Sequence, residues 1–276
     1  MIKAEPFVKY VGGKRQLLPA LSEHFPTRFN TYYEPFVGGG AVFFHLSPSE
    51  AVLSDANERL VRAYRGGRDS VDGVINRLRE MEYGHRANPR GFFHSVRKIC
   101  NDALPSNVEA AAWFIYLNKT CFNGLYRVNK RGEFNVPFGD QPKPTICDER
   151  RLRACSAALR SATIVAQDFA VMCVTARPGD LVYFDPPYAT VSKTASFTSY
   201  TKDAARTPGE VTAFQERVRD VARALKRSGV HVVVSNADVP LVRRLYEGFE
   251  ITEVRARRSV NSKGSARGPV GELIIR

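Results

Sequence analysis

The sequence predicts an α/β fold, a Rossmann-like and mainly parallel sheet interrupted by a helical insertion that ends in a β-hairpin. Three observations carry this. Short apolar runs alternate with helical patterns, as parallel strands joined by crossover helices require. One apolar run passes through Gly38-Gly39-Gly40 into a helical pattern, the strand–turn–helix that opens many doubly wound sheets. Between about residues 68 and 118 helical patterns follow one another with no strand between them.

In chain order, residues 32–37 and 51–54 are the first two predicted strands, separated by the glycine triplet and the helical stretch Ala41 to Leu46. Pro89 opens a helix, and Ser106 with Glu109 forms a capping box ahead of an apolar run from Ala110 to Leu117. Alternation from Leu125 to Asn129, a Lys130-Arg131-Gly132 turn and a return over Glu133 to Val136 predict the hairpin. Its side chains must alternate, so Leu125, Arg127 and Asn129 share one face and Tyr126 and Val128 the other. Strands follow at residues 162–166, 181–184 and 230–235. Val211, Phe214, Val218, Val221, Ala222 and Leu225 mark a basic surface helix packed on the sheet. The expected division is a catalytic domain of residues 1–67 and 146–276 with an inserted unit of residues 68–145.

Lysine and arginine number 41 against 28 aspartates and glutamates, a net charge of +13, so a polyanionic partner is expected. No apolar stretch is long enough to span a bilayer, and the first residues lack a signal-peptide core. A cytoplasmic protein that binds nucleic acid and no membrane is expected, with no obligatory protein partner. The five cysteines have no Cys-x-x-Cys pairing and are read as reduced, mostly buried thiols. The five histidines are scattered, so no metal site is expected, and His231 is read as a packed strand residue.

Asp185-Pro186-Pro187-Tyr188 follows the apolar run 181–184, where a buried parallel strand emerges at its carboxyl end. It sets a carboxylate, two rigid residues without N–H donors and an aromatic face side by side, a receptor suited to an exocyclic amine on a flat ring. Taken alone it is equally a strand closed by a proline turn. Asp55 ends the second strand seventeen residues after Gly38, close to the spacing of about twenty at which a carboxylate reaches a ribose diol. A dinucleotide would be served by the same features, although Phe43 stands where the last glycine of G-x-G-x-x-G belongs. On the hairpin, Leu125 and Arg127 suit a thymine methyl and a guanine edge, while a solvated basic hairpin is the plainer alternative.

With Phe7-Val8-Lys9-Tyr10-Val11-Gly12-Gly13-Lys14 added, the motif order resembles the Dam family of adenine-N6 DNA methyltransferases from Phe7 through Glu272. The resemblance implies an AdoMet-dependent methyltransferase sheet, double-stranded DNA as substrate, GATC as the site and S-adenosyl-L-homocysteine as product. By position it implies that Tyr10, Lys14, Asp55 and Asp185 contact AdoMet, with Glu34, Pro35, Phe36, Gly38 and Gly40 around the turn and Asp168 and Phe169 beside the cofactor's adenine. Asp185, Pro186, Pro187 and Tyr188 would be catalytic. On the DNA side it implies Lys9 at the first guanine, Leu125 and Arg127 at the second half of the site, and Phe122 as a wedge with Asn123 beside the vacated stack. Asn129, Arg131 and Pro137 complete the hairpin contacts, and Lys263, in the basic stretch with Arg255, Arg257, Arg258 and Arg267, would bind phosphate. Asp140 replaces a basic or neutral residue usual in relatives. Cytosine-N4 methylation and a DNA-binding relative without catalysis remain the alternatives.

Overall fold

The computed structural model describes residues 3–10, 12–103, 105–188, 207–257 and 269–276, with backbone alone for 255–257 and 269–270. Among them seven strands form one mixed sheet: β1 (Tyr32–Glu34), β2 (Ala51–Ser54), β3 (Ala162–Val165), β4 (Leu181–Phe184), β5 (His231–Ala237), β6 (Ile251–Arg257) and β7 (Pro269–Ile275). The order is β3-β2-β1-β4-β5-β7-β6. The first five are parallel, and β7 runs antiparallel to both β5 and β6. Strand order reverses at β1, which lies between β2 and β4 with Tyr32 level with both Ala51 and Leu181. In such sheets the crevice at the carboxyl ends beside the reversal is where ligands bind.

Central strands covered on both faces explain the continuous apolar runs. Leu181, Val182, Tyr183 and Phe184 are each fully buried. Alternate side chains enter opposite cores: Tyr32, Leu53, Leu181 and Tyr183 join the helical layer, while Tyr33, Val182, Phe184 and Val234 pack with Val218 and Leu225. Truncating a buried phenylalanine such as Phe184 would cost about 3–5 kcal/mol. β4 is thus a rigid base for whatever follows it.

The helices are α1 (Leu18–His24), α2 (Ala41–Leu46), α3 (Glu58–Asp69), α4 (Val71–Ala87), α5 (Pro89–Asp102), α6 (Asn107–Thr120), α7 (Glu149–Leu159), α8 (Phe169–Cys173), α9 (Pro208–Arg227) and α10 (Pro240–Leu245). The five from α3 to α7 separate β2 from β3, and α4, α5 and α6 fill the region expected to be helical without strands. α3 runs across the expected boundary at 67/68, and its Leu60 and Tyr64 share one core with Val74, Leu78 and Tyr116 of α4 and α6. Pro89 opens α5 as expected. Only half of the Ser106 box forms, because Ser106 Oγ accepts from Glu109 N–H at 3.3 Å while the Glu109 carboxylate pairs with Arg77 at 2.8 Å. The complete capping box is at α9, between Thr207 and Glu210.

The expected hairpin is present in short form: Val128 pairs antiparallel with Phe134, the Asn129 amide donates to the Glu133 carbonyl at 2.9 Å and the Asn135 amide to the Arg127 carbonyl at 3.1 Å. Residues 121–139 carry two isolated antiparallel bridges, Val128 with Phe134 and Cys121 with Phe138, rather than a ladder. The reason is packing: Tyr126, Val128, Phe134 and Val136 all drop into the helical core, so the segment is anchored by side chains more than by backbone pairing. The expected alternation holds, with Leu125, Arg127 and Asn129 half-exposed. Three readings change. β1 stops at Glu34 because Pro35 has no N–H for a ladder. β6 and β7 were unforeseen, and His231 is exposed at the start of β5 instead of packed. Cys121, Cys155 and Cys173 are buried, and Cys100 and Cys147 half-buried. No helix among the described residues is long and apolar enough to cross a membrane.

Candidate active site

Asp185-Pro186-Pro187-Tyr188 leaves the carboxyl end of β4 at the crevice. Asp185 Oδ1 pairs with the ammonium of Lys14 at 2.8 Å, and Ser235 of β5 donates to the same oxygen at 3.3 Å. Ser235 also shares a 2.6 Å bond with the hydroxyl of Tyr183. Burial raises the Asp185 carboxyl above its ordinary value, and Lys14 works against that rise. Lys14, 5% exposed, donates also to the Gly12 carbonyl and lies 4.6 Å from the centre of the Tyr188 ring. Its ammonium therefore sits against both Asp185 and the Tyr188 ring. Tyr188 donates its hydroxyl to Glu272 of β7 at 2.6 Å, and burial, then Asp185 and Glu272, hold its phenol well above the ordinary range.

Gln215 of α9, fully buried, donates to the Pro187 carbonyl at 2.7 Å and accepts from Asn236 at 2.8 Å. This clamps the peptide between the prolines and Tyr188. Among the described residues no donor takes the Pro186 carbonyl. Pro186 O and Asp185 thus present two acceptors on one rigid turn.

On the other side of the crevice, the amide of Gly38 donates to Asp55 Oδ2 at 3.0 Å and that of Asn57 to Oδ1 at 2.9 Å. The carboxylate ties the turn after β1 to the loop after β2. A carboxylate offers about four lone-pair sites, so one on each oxygen remains, which is what a vicinal diol needs. Burial raises Asp55 to about 6 against the lowering by those two amides. The glycines serve packing as well as approach: Gly38 (φ 47°) lies under the Tyr10 ring, and a Cβ at Gly40 (φ 70°) would come within 2.9 Å of the Tyr64 hydroxyl. Glu34 and Pro35 are buried beneath the turn; Glu34 accepts from Tyr32 at 2.9 Å and is raised well above its usual range by burial. Phe36 packs on Phe169 with ring centres 5.3 Å apart. Asp168 caps α8 through the Ala170 amide, and its two oxygens take the fork of Arg217.

Except for Lys9 and Lys263, the residues that the resemblance assigns to DNA lie in the segment that follows α6. Phe122 is 51% exposed in a 3-10 turn, Phe122–Gly124, and Asn123 has left-handed φ of 55°. Arg127 Nε donates to Asn135 at 2.8 Å, which orients the guanidinium. Asn129 turns inward: its oxygen accepts from the amides of Arg131 and Glu133, and its amide donates to Glu133, so the side chain closes the turn. Arg131 is exposed and pairs with Glu133 at 3.1 Å; Pro137 is exposed, and its carbonyl takes the Phe122 amide. Lys9 is exposed, the Tyr10 ring lies against Gly38 of the glycine turn, and Lys14 pairs with Asp185. Lys263, Arg258 and Arg267 lie outside the described residues.

Sequence reasoning missed Gln215, Ser235, Asn236 and Glu272. Gln215 was visible as one polar residue on the apolar face of α9. Ser235 follows Val234, the register partner of Phe184, as Asp185 follows Phe184. Glu272 had no signal before β7 was known.

The profile of D12 class N6 adenine-specific DNA methyltransferases matches residues 10–260 of the chain. The chain is 39% identical to the Type II methyltransferase M1.LlaDCHI of Lactococcus lactis subsp. cremoris, over 99% of this chain and 95% of that protein. It is 38% identical to the Type II methyltransferase M.MjaIII of Methanocaldococcus jannaschii, covering 99% of both. A DNA adenine methylase of Escherichia coli (strain K12) is 33% identical over 99% of this chain and 95% of its own length.

Proposed function

The chain belongs to the D12 class of N6 adenine-specific DNA methyltransferases, and from that premise we propose that it methylates, with AdoMet, an adenine flipped out of double-stranded DNA at GATC. The observation that carries the reading is the meeting of two acceptor sets at one crevice: Asp55 bonded to Gly38 at 3.0 Å, and Asp185 beside Tyr188, with Tyr10 on the first and Lys14 on the second. The cytosine-N4 alternative yields to the adenine family.

When bound, AdoMet supplies an electrophilic methyl group on a sulfonium centre. Asp55 would accept the ribose diol, Tyr10 and the glycine turn would floor the pocket, and Phe36 and Phe169 would flank the adenine of the cofactor. Asp168 would have to share its oxygens between that adenine and Arg217.

An adenine amine paired in a duplex is out of reach, so the base must leave the stack at a cost of a few kcal/mol. Stacking on Tyr188 offsets part of this cost. The amine is a weak nucleophile because its lone pair is spread into the ring. Accepting its two hydrogens at Asp185 and the Pro186 carbonyl draws the lone pair back to nitrogen and stabilises the positive charge that develops there. Lys14 already holds Asp185 Oδ1, so the amine either displaces the ammonium or uses Oδ2. One proton must leave the methylated nitrogen, and the Asp185 carboxylate is the nearest acceptor.

Two experiments test the parts of this reading. A hydrogen bond to a charged group contributes about 1.5–3 kcal/mol, so losing both diol bonds in Asp55→Ala should weaken AdoMet binding at least about 100-fold by calorimetry. In the wild type, affinity should be full above pH 7 and fall below about 6, where Asp55 takes up a proton. The sign for stability is opposite: a raised carboxyl binds its proton more tightly when folded, so stability falls as pH rises from the ordinary 3.8 to about 6. Unchanged affinity in the variant would refute the diol role.

Arg127→Ala should relax preference at one G·C pair of the site by about 1–3 kcal/mol. The measurement is methyl transfer to GATC and its single-base variants. An equal loss at every sequence would make Arg127 a phosphate contact.

A further inference from the structure

Two segments far apart in sequence meet at one buried amide. Asn118, 3% exposed in the last turn of α6, accepts from the Lys9 amide at 2.8 Å through Oδ1. Its Nδ2 donates to the Lys9 carbonyl at 2.8 Å and to the Gly124 carbonyl at 2.9 Å. Both donors of the side chain are used. Gly124 adds a steric contact: it has φ of 65°, and a Cβ there would come within 2.7 Å of Lys9 Cδ. The Lys9 stem therefore rests directly on the loop that carries Phe122, Asn123 and Leu125. On its far side that loop is held by Phe122 N–H on the Pro137 carbonyl at 2.9 Å and Gly139 N–H on the Thr120 carbonyl at 2.8 Å.

We propose that Asn118 is a positioning residue for sequence selection: it holds Lys9 in fixed register with the Leu125–Arg127 face so that both halves of the target are read together. The inference rests on the reading of Lys9, Leu125 and Arg127 as base contacts. A contact at a base edge discriminates only while its side chain leaves from a fixed point. Asn118 fixes that point for Lys9 at both its amide and its carbonyl, and it fixes the loop at Gly124.

The test is methyl transfer, as kcat/KM, on GATC duplex and all its single-base variants. The proteins are wild type, Lys9→Ala, Asn118→Asp, Gly124→Ala and the double variant Lys9→Ala with Asn118→Asp. Asn118→Asp keeps the acceptor for the Lys9 amide but sets a carboxylate oxygen against two carbonyls. Asn118→Asp and Lys9→Ala should relax preference at the same base pair, each by about tenfold, and the double variant should be no more relaxed than Lys9→Ala. Selectivity is a ratio between sequences, so a smaller folded fraction cancels from it. Gly124→Ala keeps the Asn118 side chain and sets a Cβ 2.7 Å from Lys9 Cδ and 3.2 Å from the Asn118 backbone carbonyl, so it displaces the Lys9 stem and should relax the same pair; it decides the question if Asn118→Asp does not fold. If Lys9→Ala relaxes one pair while Asn118→Asp, or Gly124→Ala in its place, lowers all sequences by one factor, Asn118 is a packing residue and the inference is overturned alone. If Lys9→Ala leaves selectivity unchanged, the base-contact reading of Lys9 falls and takes the inference with it.

Discussion

Asp185→Asn is expected to lower turnover by about 100- to 1000-fold, roughly 2.7–4 kcal/mol of transition-state stabilisation, while DNA and AdoMet are still bound. The carboxylate is placed to meet the charge that develops on the amine, and an amide of the same shape accepts a hydrogen bond without opposing that charge. Asparagine is preferable to alanine for the test. Alanine would leave the Lys14 ammonium, 5% exposed, without its 2.8 Å partner, and breaking a buried pair costs about 3–5 kcal/mol of stability. The double variant Lys14→Met with Asp185→Ala removes both charges and should recover stability without recovering turnover. Single-turnover methyl transfer at saturating AdoMet is the measurement, and retention of more than about a tenth of the rate, a barrier change of only about 1.4 kcal/mol, would remove Asp185 from the chemistry.

Tyr188→Ala should be nearly as damaging, and Tyr188→Phe much less so. Stacking of a base on an aromatic ring contributes about 1–3 kcal/mol, and the ring also carries the Lys14 ammonium 4.6 Å from its centre. Phenylalanine keeps both of these and loses the 2.6 Å bond to Glu272. Glu272 is only half-buried, so water can take the place of the lost phenol at modest cost. We expect Tyr188→Phe to stay within about tenfold of wild type and Tyr188→Ala to fall about 100-fold, in line with the stacking energy. Equal losses would mean that the hydroxyl, through Glu272, matters more than the ring.

What could be read from the sequence follows from what each element needs. β4 and most of β5 are covered on both faces, and burial on both faces requires unbroken apolar runs, which are visible, while the edge strand β3 leaves Thr163 exposed between buried Ala162 and Ile164. β6 is a sheet edge, and its Arg255 and Arg257 drew it into a basic stretch. The 125–136 segment had the alternation of a hairpin and used it to anchor side chains in the core, a choice set by the helices beneath it. In the site, Asp185, Tyr188, Asp55 and the glycine turn are local motifs and were legible. Gln215, Ser235 and Glu272 act only because strand order sets β5 beside β4 and β7 beside β5, which no local pattern states. Lys14 was legible as a motif residue, but its partner Asp185 could be known only from the fold.

The most direct test of the central claim is transfer of labelled methyl from AdoMet to duplexes carrying GATC or one of its single-base variants, followed by hydrolysis to nucleosides. Label recovered as N6-methyladenine from GATC, with each variant at least about tenfold poorer, as one lost base contact implies, is the expected result. Label spread equally over the variants would contradict the assignment of Lys9, Leu125 and Arg127 to that site, and label recovered in cytosine would contradict the placing of an adenine amine between Asp185 and Tyr188.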